Sequence, residues 1–211
     1  MTDAADTPRL RYDEGCLAAH ALNVVGDRWA LLVVRELMLA PKRFQMIRQG
    51  LPGVTAAVLT QRLGQLERAG VLTHDAALGL YALTDSGRGL MPVLQAMCRW
   101  GAAHPGHDPR RFISPTALVI SMTAMICPDG RQAAAALAMG KEAFTLRLAD
   151  GVLRPAAGAR PADFTLSGSG NSLARAVYGR TPLADLARDG VIGLSGDARA
   201  AQDFADLFRL R

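Results

Sequence analysis

Apolar residues in the first part of the chain recur at helical spacing. One apolar stripe is formed by Ala18, Leu22 and Val25, and a second runs through residues 29–37. Residues three or four positions apart lie on the same face of a helix. Gly26 interrupts the pattern between the stripes, so the sequence predicts two short helices that each bury one face.

A longer amphipathic helix is predicted over residues 55–68. Thr55 is a favoured N-cap residue, because its hydroxyl can accept a hydrogen bond from a free N–H of the first turn. Leu59, Leu63 and Leu66 then form one apolar stripe along the helix. The opposite face is polar and is expected to face solvent or a partner.

Two short strands and a further helix follow. Residues 71–73 and 80–83 have the composition of strands on either side of a turn. We expect a last helix to begin after Ser86. Its predicted apolar face comprises Leu90, Val93, Leu94, Met97 and Trp100. The order helix, helix, turn, helix, two strands, helix is typical of a winged helix-turn-helix domain, which binds DNA.

A segment rich in proline and glycine divides the chain near its middle. Residues 102–115 hold three prolines and a glycine, a density typical of a boundary between domains. We therefore predict a winged helix-turn-helix domain at residues 12–103, a linker at 104–114 and a second domain at 115–211.

The second half changes to the alternating pattern of strands. Phe144, Leu146 and Leu148 alternate with polar or small residues, and Asp150-Gly151 favours a hairpin turn. Residues 133–138 fit a helix or a strand equally well. Helices are expected at 172–178, at 183–188 and after Asp197, and the strands are expected to form a meander. The whole chain is therefore predicted to be α+β, with a winged helix-turn-helix domain followed by an α+β domain.

Residues 16–101 resemble the HxlR type of winged-helix transcriptional regulator, a relative of the MarR group. The stretches that carry the resemblance are CLAAHALNVVGDRWALLVVREL, KRFQMIRQGLPGVTAAVLTQRLGQLERAGVL and YALTDSGRGLMPVLQAMCRWG. The resemblance implies a homodimer whose flanking helices form the interface. It also implies that the helix at residues 55–68 reads one half-site of double-stranded DNA.

A step of 100° per residue decides which side chains that helix would present to DNA. Gln61 and Gln65 have the groups for paired hydrogen bonds to adenine, and Ala57 suits contact with a thymine methyl. Arg62 lies beside the apolar stripe, where either a phosphate contact or an internal salt bridge is expected. The full set of predicted DNA-contacting residues is Arg43, Thr55, Ala57, Thr60, Gln61, Arg62, Gln65 and Arg68. The simpler alternative is an amphipathic helix that enters no groove.

The predicted wing is poor in positive charge. Its tip, HDAALG, contains no Arg or Lys, although wings commonly contact phosphates. Each missing phosphate contact reduces the salt dependence of DNA binding by about one unit of slope. We therefore expect a modest salt dependence and weak non-specific binding.

The segment from about residue 115 resembles the sterol carrier protein type 2 fold. The stretches that carry this resemblance are FTLRLADGVL, ADFTLSGSGNSLARAVYGRTPLADLARDG and VIGLSGDARAAQDFADLF. It implies an apolar tunnel that holds a hydrophobic molecule, whereas the alternative is a closed core without ligand. The candidate lining residues are Met122, Met125, Ile126, Phe144, Leu146, Phe164, Val177, Phe204 and Phe208.

Composition and charge narrow the function classes. The net charge of +5 is divided almost equally, with +3 on residues 1–111 and +2 on residues 112–211, so it does not locate a DNA-binding surface. Lys42 and Lys141 are the two lysines among 24 basic residues. The longest apolar run, residues 117–127, is about half a membrane span, and residues 1–11 lack the apolar region of a signal peptide. A cytoplasmic protein without membrane contact is expected.

Support for catalysis is weak. Residues 168–171, GSGN, lack the spacing and lysine of a phosphate-binding loop, and the four histidines are dispersed. We expect no enzyme activity, cofactor or metal site. Cys16 follows Asp13-Glu14-Gly15 and is predicted near the start of a helix, where the dipole favours the thiolate. It is a candidate redox sensor, and the alternative is an ordinary interface cysteine.

These observations favour a homodimeric DNA-binding regulator, expected to be a repressor, controlled by an apolar small molecule. The alternative is a carrier of hydrophobic ligands, or an interaction module, in which the winged helix serves dimerisation only.

Overall fold

The computed structural model describes residues 11–210, and its first half is a helical body with a small sheet. The elements in chain order are α1 (Leu17–Val25), α2 (Ala30–Leu37), β1 (Lys42–Arg43), α3 (Phe44–Gln49), α4 (Ala56–Arg68), β2 (Leu72–Asp75), β3 (Leu80–Leu83), α5 (Asp85–Arg88) and α6 (Met91–Ala103). The sheet has the order β1-β3-β2, with both pairs antiparallel. The winged helix-turn-helix arrangement is as predicted, although the sequence pattern did not reveal the short β1.

The long helix α4 forms as the sequence predicts. Thr55 Oγ1 accepts a 3.3 Å hydrogen bond from the Val58 N–H, which caps the first turn. Leu59, Leu63 and Leu66 are at most 1% exposed and pack into the core of this half. One face of α4 is therefore fixed against α2 and the wing, and the other is left on the surface.

The helix predicted to begin after Ser86 is interrupted. Thr84 Oγ1 accepts from the Gly87 N–H at 3.2 Å and caps the short α5, and α6 begins separately at Met91. Pro92 has no N–H to continue a preceding helix but is accepted in the first turn of a new one. A continuous helix was therefore the wrong prediction here.

The second half is a five-stranded sheet with helices packed on it. Its elements are α7 (Pro115–Met125), β4 (Ala133–Met139), β5 (Glu142–Ala149), β6 (Val152–Ala157), β7 (Phe164–Ser167), α8 (Gly170–Tyr178), α9 (Leu183–Arg188), β8 (Gly193–Gly196) and α10 (Ala198–Ala205). The ambiguous residues 133–138 belong to β4. Asp150 and Gly151 both have positive φ, of 53° and 73°, and form the predicted hairpin turn.

The strands do not form the simple meander that the alternation suggested. The sheet order is β6-β5-β4-β7-β8, and β7 lies parallel to β4 instead of beside β6. Asp163 fixes this placement. Its carboxylate accepts from the Ala134 N–H at 2.7 Å, and its own N–H donates to the Ala134 carbonyl at 2.8 Å. Alternation predicts a strand but leaves its neighbour undetermined.

Helix α7 joins the two halves because it carries apolar residues on more than one of its sides. Leu118, Val119 and Met122 are buried in the core of the second half. Ile120, on another face of the same helix, is buried in the core of the first half. The residues after the proline-rich linker therefore belong to both hydrophobic cores and hold them against each other.

Within residues 11–210 no single helix has the length and apolar character needed to cross a membrane. The consecutive helices α1 and α2 reach that length and composition only together, and they are bent by 76°.

Candidate nucleic-acid interface

The outward face of α4 carries most of the residues predicted to contact DNA. Thr55, Ala57, Thr60, Gln61 and Arg68 are exposed. Gly64 and Gln65 are half-buried along the same face. This polar surface lies opposite the buried leucine stripe, as the helical period requires. The helix therefore presents a continuous row of hydrogen-bonding side chains to whatever approaches it.

Arg62 is held by the protein itself. Its Nη1 lies 2.5 Å from Asp27 Oδ2, and its Nε donates to the Arg28 carbonyl at 3.0 Å. The same Nη1 also donates to Gln65 Oε1. Of the two roles left open by the sequence, the structure places Arg62 in the internal salt bridge. That bridge ties α4 to the loop before α2 and leaves the Gln65 amide N–H₂ as the free donor of that side chain.

Arg43 lies where β1 meets α3. It is exposed, its backbone is the N-cap of α3, and it pairs in register with Leu80 of the wing. The neighbouring Lys42 is 3% exposed and points into the protein. Strand alternation therefore separates the two basic residues of this dipeptide, one to the surface and one to the interior.

The wing tip is closed by an acidic residue. Asp75 Oδ1 accepts from the N–H groups of Ala77 and Leu78, at 3.0 and 3.1 Å. Leu78 is 57% exposed at the tip. The His74 ring stacks on Tyr81, with centroids 4.2 Å apart. Burial, aided by Glu67, raises the pKa of the Tyr81 hydroxyl, so it stays neutral at ordinary pH. The tip thus offers no basic side chain to a phosphate.

A second surface of this half is apolar and unburied. On α6, Val93, Met97 and Trp100 are 43%, 47% and 68% exposed, whereas Leu94 is buried. On α1, Leu17 and Leu22 are 87% and 50% exposed. The sequence predicted the α6 residues to share a face but did not reveal that this face is open to solvent. Exposed apolar residues clustered on two helices are typical of a subunit interface.

The cysteines lie in different surroundings. Cys16 is exposed at the N-cap position of α1 and makes no side-chain cap hydrogen bond. Cys98 is half-buried on α6, and burial raises the pKa of its thiol although Arg35 and Arg99 oppose the shift. The predicted position of Cys16 at a helix start is confirmed, and its proposed sensing role stays a prediction.

The residues predicted to line an apolar tunnel, apart from Met125, pack together in the core of the second half. All of them except the half-buried Ile126 are buried. The Phe204 ring lies 5.6 Å from Phe164 and 5.1 Å from Phe208, centroid to centroid. Phe144 alone among them borders a cleft of about 280 Å³. A tunnel through this core stays a prediction.

A buried ionic network at the junction of the two halves was missed by the sequence reasoning. Glu36 is fully buried; its carboxylate accepts from Arg35 at 2.8 Å, from Ser114 Oγ at 2.6 Å and from Lys42 at 3.2 Å. Lys42 Nζ also donates to Thr116 Oγ1 at 2.9 Å and lies 2.7 Å from Glu142 Oε2. The available signal was a Glu within the apolar run ALLVVREL, since a charge there requires a partner.

The cleft beside this network lies between β1, with the loop that precedes it, on one side and the start of β5 on the other. Its lining residues are Leu39, Ala40, Pro41, Lys42, Met46, Thr116, Lys141, Glu142, Ala143, Phe144, Ala157 and Gly158. It is therefore a junction cleft, bordered by both halves of the chain.

Comparisons with known proteins agree with this division. Residues 24–108 match the HxlR-like helix-turn-helix family, and residues 129–209 match the SCP-2 sterol transfer family. Both resemblances drawn from the sequence are therefore confirmed. Helix α7 falls between the two matched segments.

Individual relatives match the first segment. An uncharacterized HTH-type transcriptional regulator of Synechocystis is 34% identical over 107 residues, which are 48% of this chain and 79% of that protein. The uncharacterized HTH-type regulator YvaP of Bacillus subtilis is 34% identical over 85 residues, 38% of this chain and 79% of its own. Among solved structures, quinone-bound YodB from B. subtilis is 31% identical and covers 41% of this chain and 97% of its own, with a TM-score of 0.38.

Proposed function

Because the chain belongs to the HxlR-like helix-turn-helix family, we propose that it is a DNA-binding transcriptional regulator, not an enzyme. It reads an inverted-repeat operator as a homodimer and represses transcription there. The observation that carries this proposal is the exposed polar face of α4, opposite a fully buried leucine stripe. A helix fixed on one side and polar on the other fits the major groove.

Gln61 is the residue to which we assign base reading. Its exposed amide offers the donor and acceptor that pair with adenine in the major groove. Gln65 contributes mainly a donor, because its oxygen accepts from Arg62. The small Ala57 suits contact with a thymine methyl. Arg43 and Arg68, with Thr55 and Thr60 at the helix edge, are assigned to the phosphates, which position the protein without reading sequence.

Exposed apolar residues on α1 and α6 support the proposed homodimer. We call Leu17 and Leu22 of α1, with Val93, Met97 and Trp100 of α6, the apolar dimer face, and we propose that a second copy covers them. In a two-fold dimer the same face meets itself, so a self-complementary apolar patch suffices. Two copies of α4 would then approach two half-sites about one helical turn apart.

The second domain is proposed to hold an apolar effector, supported by its match to the SCP-2 sterol transfer family. Helix α6 of the dimer face packs on α7, which is buried in both cores. A ligand that favours one position of α7 would shift the spacing of the two reading helices. Such coupling requires different ligand affinity in the two states. Equal DNA affinity of ligand-free and ligand-saturated protein would refute it.

Binding to the DNA upstream of the protein's own gene tests the main proposal. Fluorescence anisotropy should show at least about a thousandfold preference for that DNA over a scrambled duplex, the lower end of the usual range for specific binding. Gln61→Ala should lower that preference severalfold. Gln132→Ala, which removes an exposed glutamine from the second domain, is the matched control and should leave it unchanged.

Weak binding that ignores sequence would instead favour the alternative, a carrier of hydrophobic ligands in which the winged helix serves dimerisation only. Native mass spectrometry of the purified protein then separates the two. A co-purified apolar molecule without specific DNA binding would support the carrier.

Cys16 sensing is tested separately. Cys16→Ser should abolish any loss of DNA affinity caused by diamide and reversed by reductant. If the variant and the original protein respond alike, Cys16 is an ordinary surface residue.

A further inference from the structure

Both lysines of the chain line the junction cleft, although they come from opposite halves of the sequence. Lys42 belongs to β1 and Lys141 to the turn before β5. The other 22 basic residues of the chain are arginines. The junction cleft is therefore the one setting in which this chain uses the compact, strongly hydrated ammonium group.

The two lysines differ in what holds them. Lys42 is 3% exposed and its three N–H donors meet Glu36, Thr116 and Glu142. Lys141 is exposed, and within residues 11–210 its ammonium has no hydrogen-bond or ion-pair partner. One basic group at the cleft is thus fully paired and the other is available.

Of the three groups bonded to Lys42, Glu142 is the one most easily displaced. Its side chain is 21% exposed, whereas Glu36 is fully buried and is also bonded to Arg35 and Ser114. Rotating Glu142 into solvent restores its hydration at little cost, whereas exposing Glu36 would disrupt the core. An incoming anion can therefore replace Glu142 on Lys42 without leaving a buried charge unpaired.

Charge at the cleft favours an anion over a cation. Arg35 and Glu36 balance each other, as do Lys42 and Glu142, so the excess is the single positive charge of Lys141. The rest of the lining is mainly apolar, with Leu39, Met46 and Phe144 among its larger side chains. The cleft volume of about 280 Å³ lies close to the lower limit of ligand pockets, about 300 Å³, so it suits only a small molecule.

We propose that the junction cleft binds a small aliphatic carboxylate. Its carboxylate pairs with Lys141 and replaces Glu142 on Lys42, and its hydrocarbon chain lies against Leu39, Met46 and Phe144. This site shares only Phe144 with the residues assigned to an apolar effector, and its occupancy does not depend on DNA binding. Because Lys42 is followed by Arg43 and α3 carries Met46, a bound carboxylate touches the DNA-reading domain directly.

Octanoate is a suitable probe, with 1-octanol as the uncharged molecule of the same chain length. Protein grown with lysine labelled with ¹³C at Cε gives one NMR signal for each of the two lysines, both of them at the site. Octanoate should shift both signals in a saturable manner, and 1-octanol should bind several times more weakly.

Two variants should move the affinity in opposite directions. Lys141→Gln should weaken octanoate binding about two- to fivefold, the range for one partly exposed ion pair. Glu142→Gln should tighten binding by a similar factor, since it removes the competing carboxylate. Neither substitution is expected to unfold the protein. Arg180→Gln, an exposed charge change outside the cleft, is the matched control and should leave the affinity unchanged.

Equal binding of octanoate and 1-octanol would overturn the proposal, as would Glu142→Gln failing to tighten octanoate binding. Shifts of the Lys141 signal without the Lys42 signal would also overturn it, because the carboxylate would then not reach Lys42. None of these results depends on DNA, so the proposal fails or stands independently of the regulator function.

Discussion

Ser114 Oγ donates a 2.6 Å hydrogen bond to Glu36 Oε1, although the two residues belong to different halves of the chain. Ser114 is also the N-cap of α7, where its hydroxyl oxygen accepts from the Ala117 N–H at 3.1 Å. One hydroxyl therefore caps the helix that joins the two cores and satisfies a buried carboxylate of α2. The relative position of the halves is fixed by polar contacts as well as by the apolar sides of α7.

Removing Lys42 should be strongly destabilising. Lys42→Met removes the cation that Glu36 and Glu142 share. Removing one partner of a buried ion pair lowers the free energy of unfolding by about 3–5 kcal/mol. Urea unfolding should show this loss. Lys141→Met, which removes the exposed lysine from the same cleft, should change the free energy of unfolding by less than about 0.5 kcal/mol. Similar losses of unfolding free energy in the two variants would mean that the buried network does not contribute to stability.

Arg62→Ala should destabilise the protein although it lies on the reading helix. The variant loses the bonds to Asp27 and to the Arg28 carbonyl, which join α4 to the preceding loop. The expected loss is about 1–3 kcal/mol for a charged hydrogen-bonding group that is partly buried. Arg68→Ala removes an exposed arginine from the last turn of the same helix and should be nearly neutral in urea unfolding. Its effect should appear in DNA affinity instead.

The parts of the fold that local chemistry determines were predictable from the sequence. Thr55, the leucine stripe of α4, the Asp150-Gly151 turn and the cap at Asp197 each depend on neighbours within a few residues. The parallel pairing of β7 with β4 was not predictable, because it depends on Asp163 bonding a residue far away in sequence. The hydrogen bond between Ser114 and Glu36 was not predictable for the same reason.

The candidate site shows the same division. The outward face of α4 follows from the helical period, so its residues were found from the sequence. The role of Arg62 was left open because Asp27 approaches it only in the folded chain. The solvent exposure of Trp100 could not be deduced either, since an apolar stripe looks the same whether it packs within the protein or against a second copy.

A charge placed on the apolar dimer face should separate the subunits. Trp100→Glu puts a carboxylate on the apolar dimer face, at a side chain that is 68% exposed in the single chain, and burying that charge against a second copy is costly. Sedimentation equilibrium should show a dimer for the original protein and a monomer for the variant, with unchanged circular dichroism. Val152→Glu, at another exposed apolar position, is the control and should remain dimeric. A dimeric Trp100→Glu protein would place the interface elsewhere.

A single substitution in the charge-poor wing should strengthen its contact with the DNA backbone. Leu78→Arg places a guanidinium at the exposed wing tip, where wings contact phosphate. The slope of log affinity against log salt should then become steeper by about one unit, and binding to scrambled DNA should tighten equally. Leu78→Gln, of intermediate polarity and no charge, should leave the slope as it was. An unchanged slope for Leu78→Arg would show that the wing does not approach the DNA backbone.

Replacing Gly64 with alanine should raise the stability of the protein and lower its affinity for DNA. It lies within α4, and an added Cβ would meet Arg68 Nη1 at an ordinary contact distance of 3.5 Å. Gly64→Ala should therefore stabilise the protein by about 0.5–1 kcal/mol, because alanine loses less backbone entropy in a helix. The same methyl group stands on the face assigned to the major groove, between Gln61 and Arg68, so operator affinity should fall severalfold. Gly101→Ala in α6, where a Cβ has open space, should stabilise similarly and leave the affinity of the dimer for DNA unchanged. If Gly64→Ala stabilised the protein and bound the operator as tightly as before, the reading face of α4 would have to be placed on a different side of the helix.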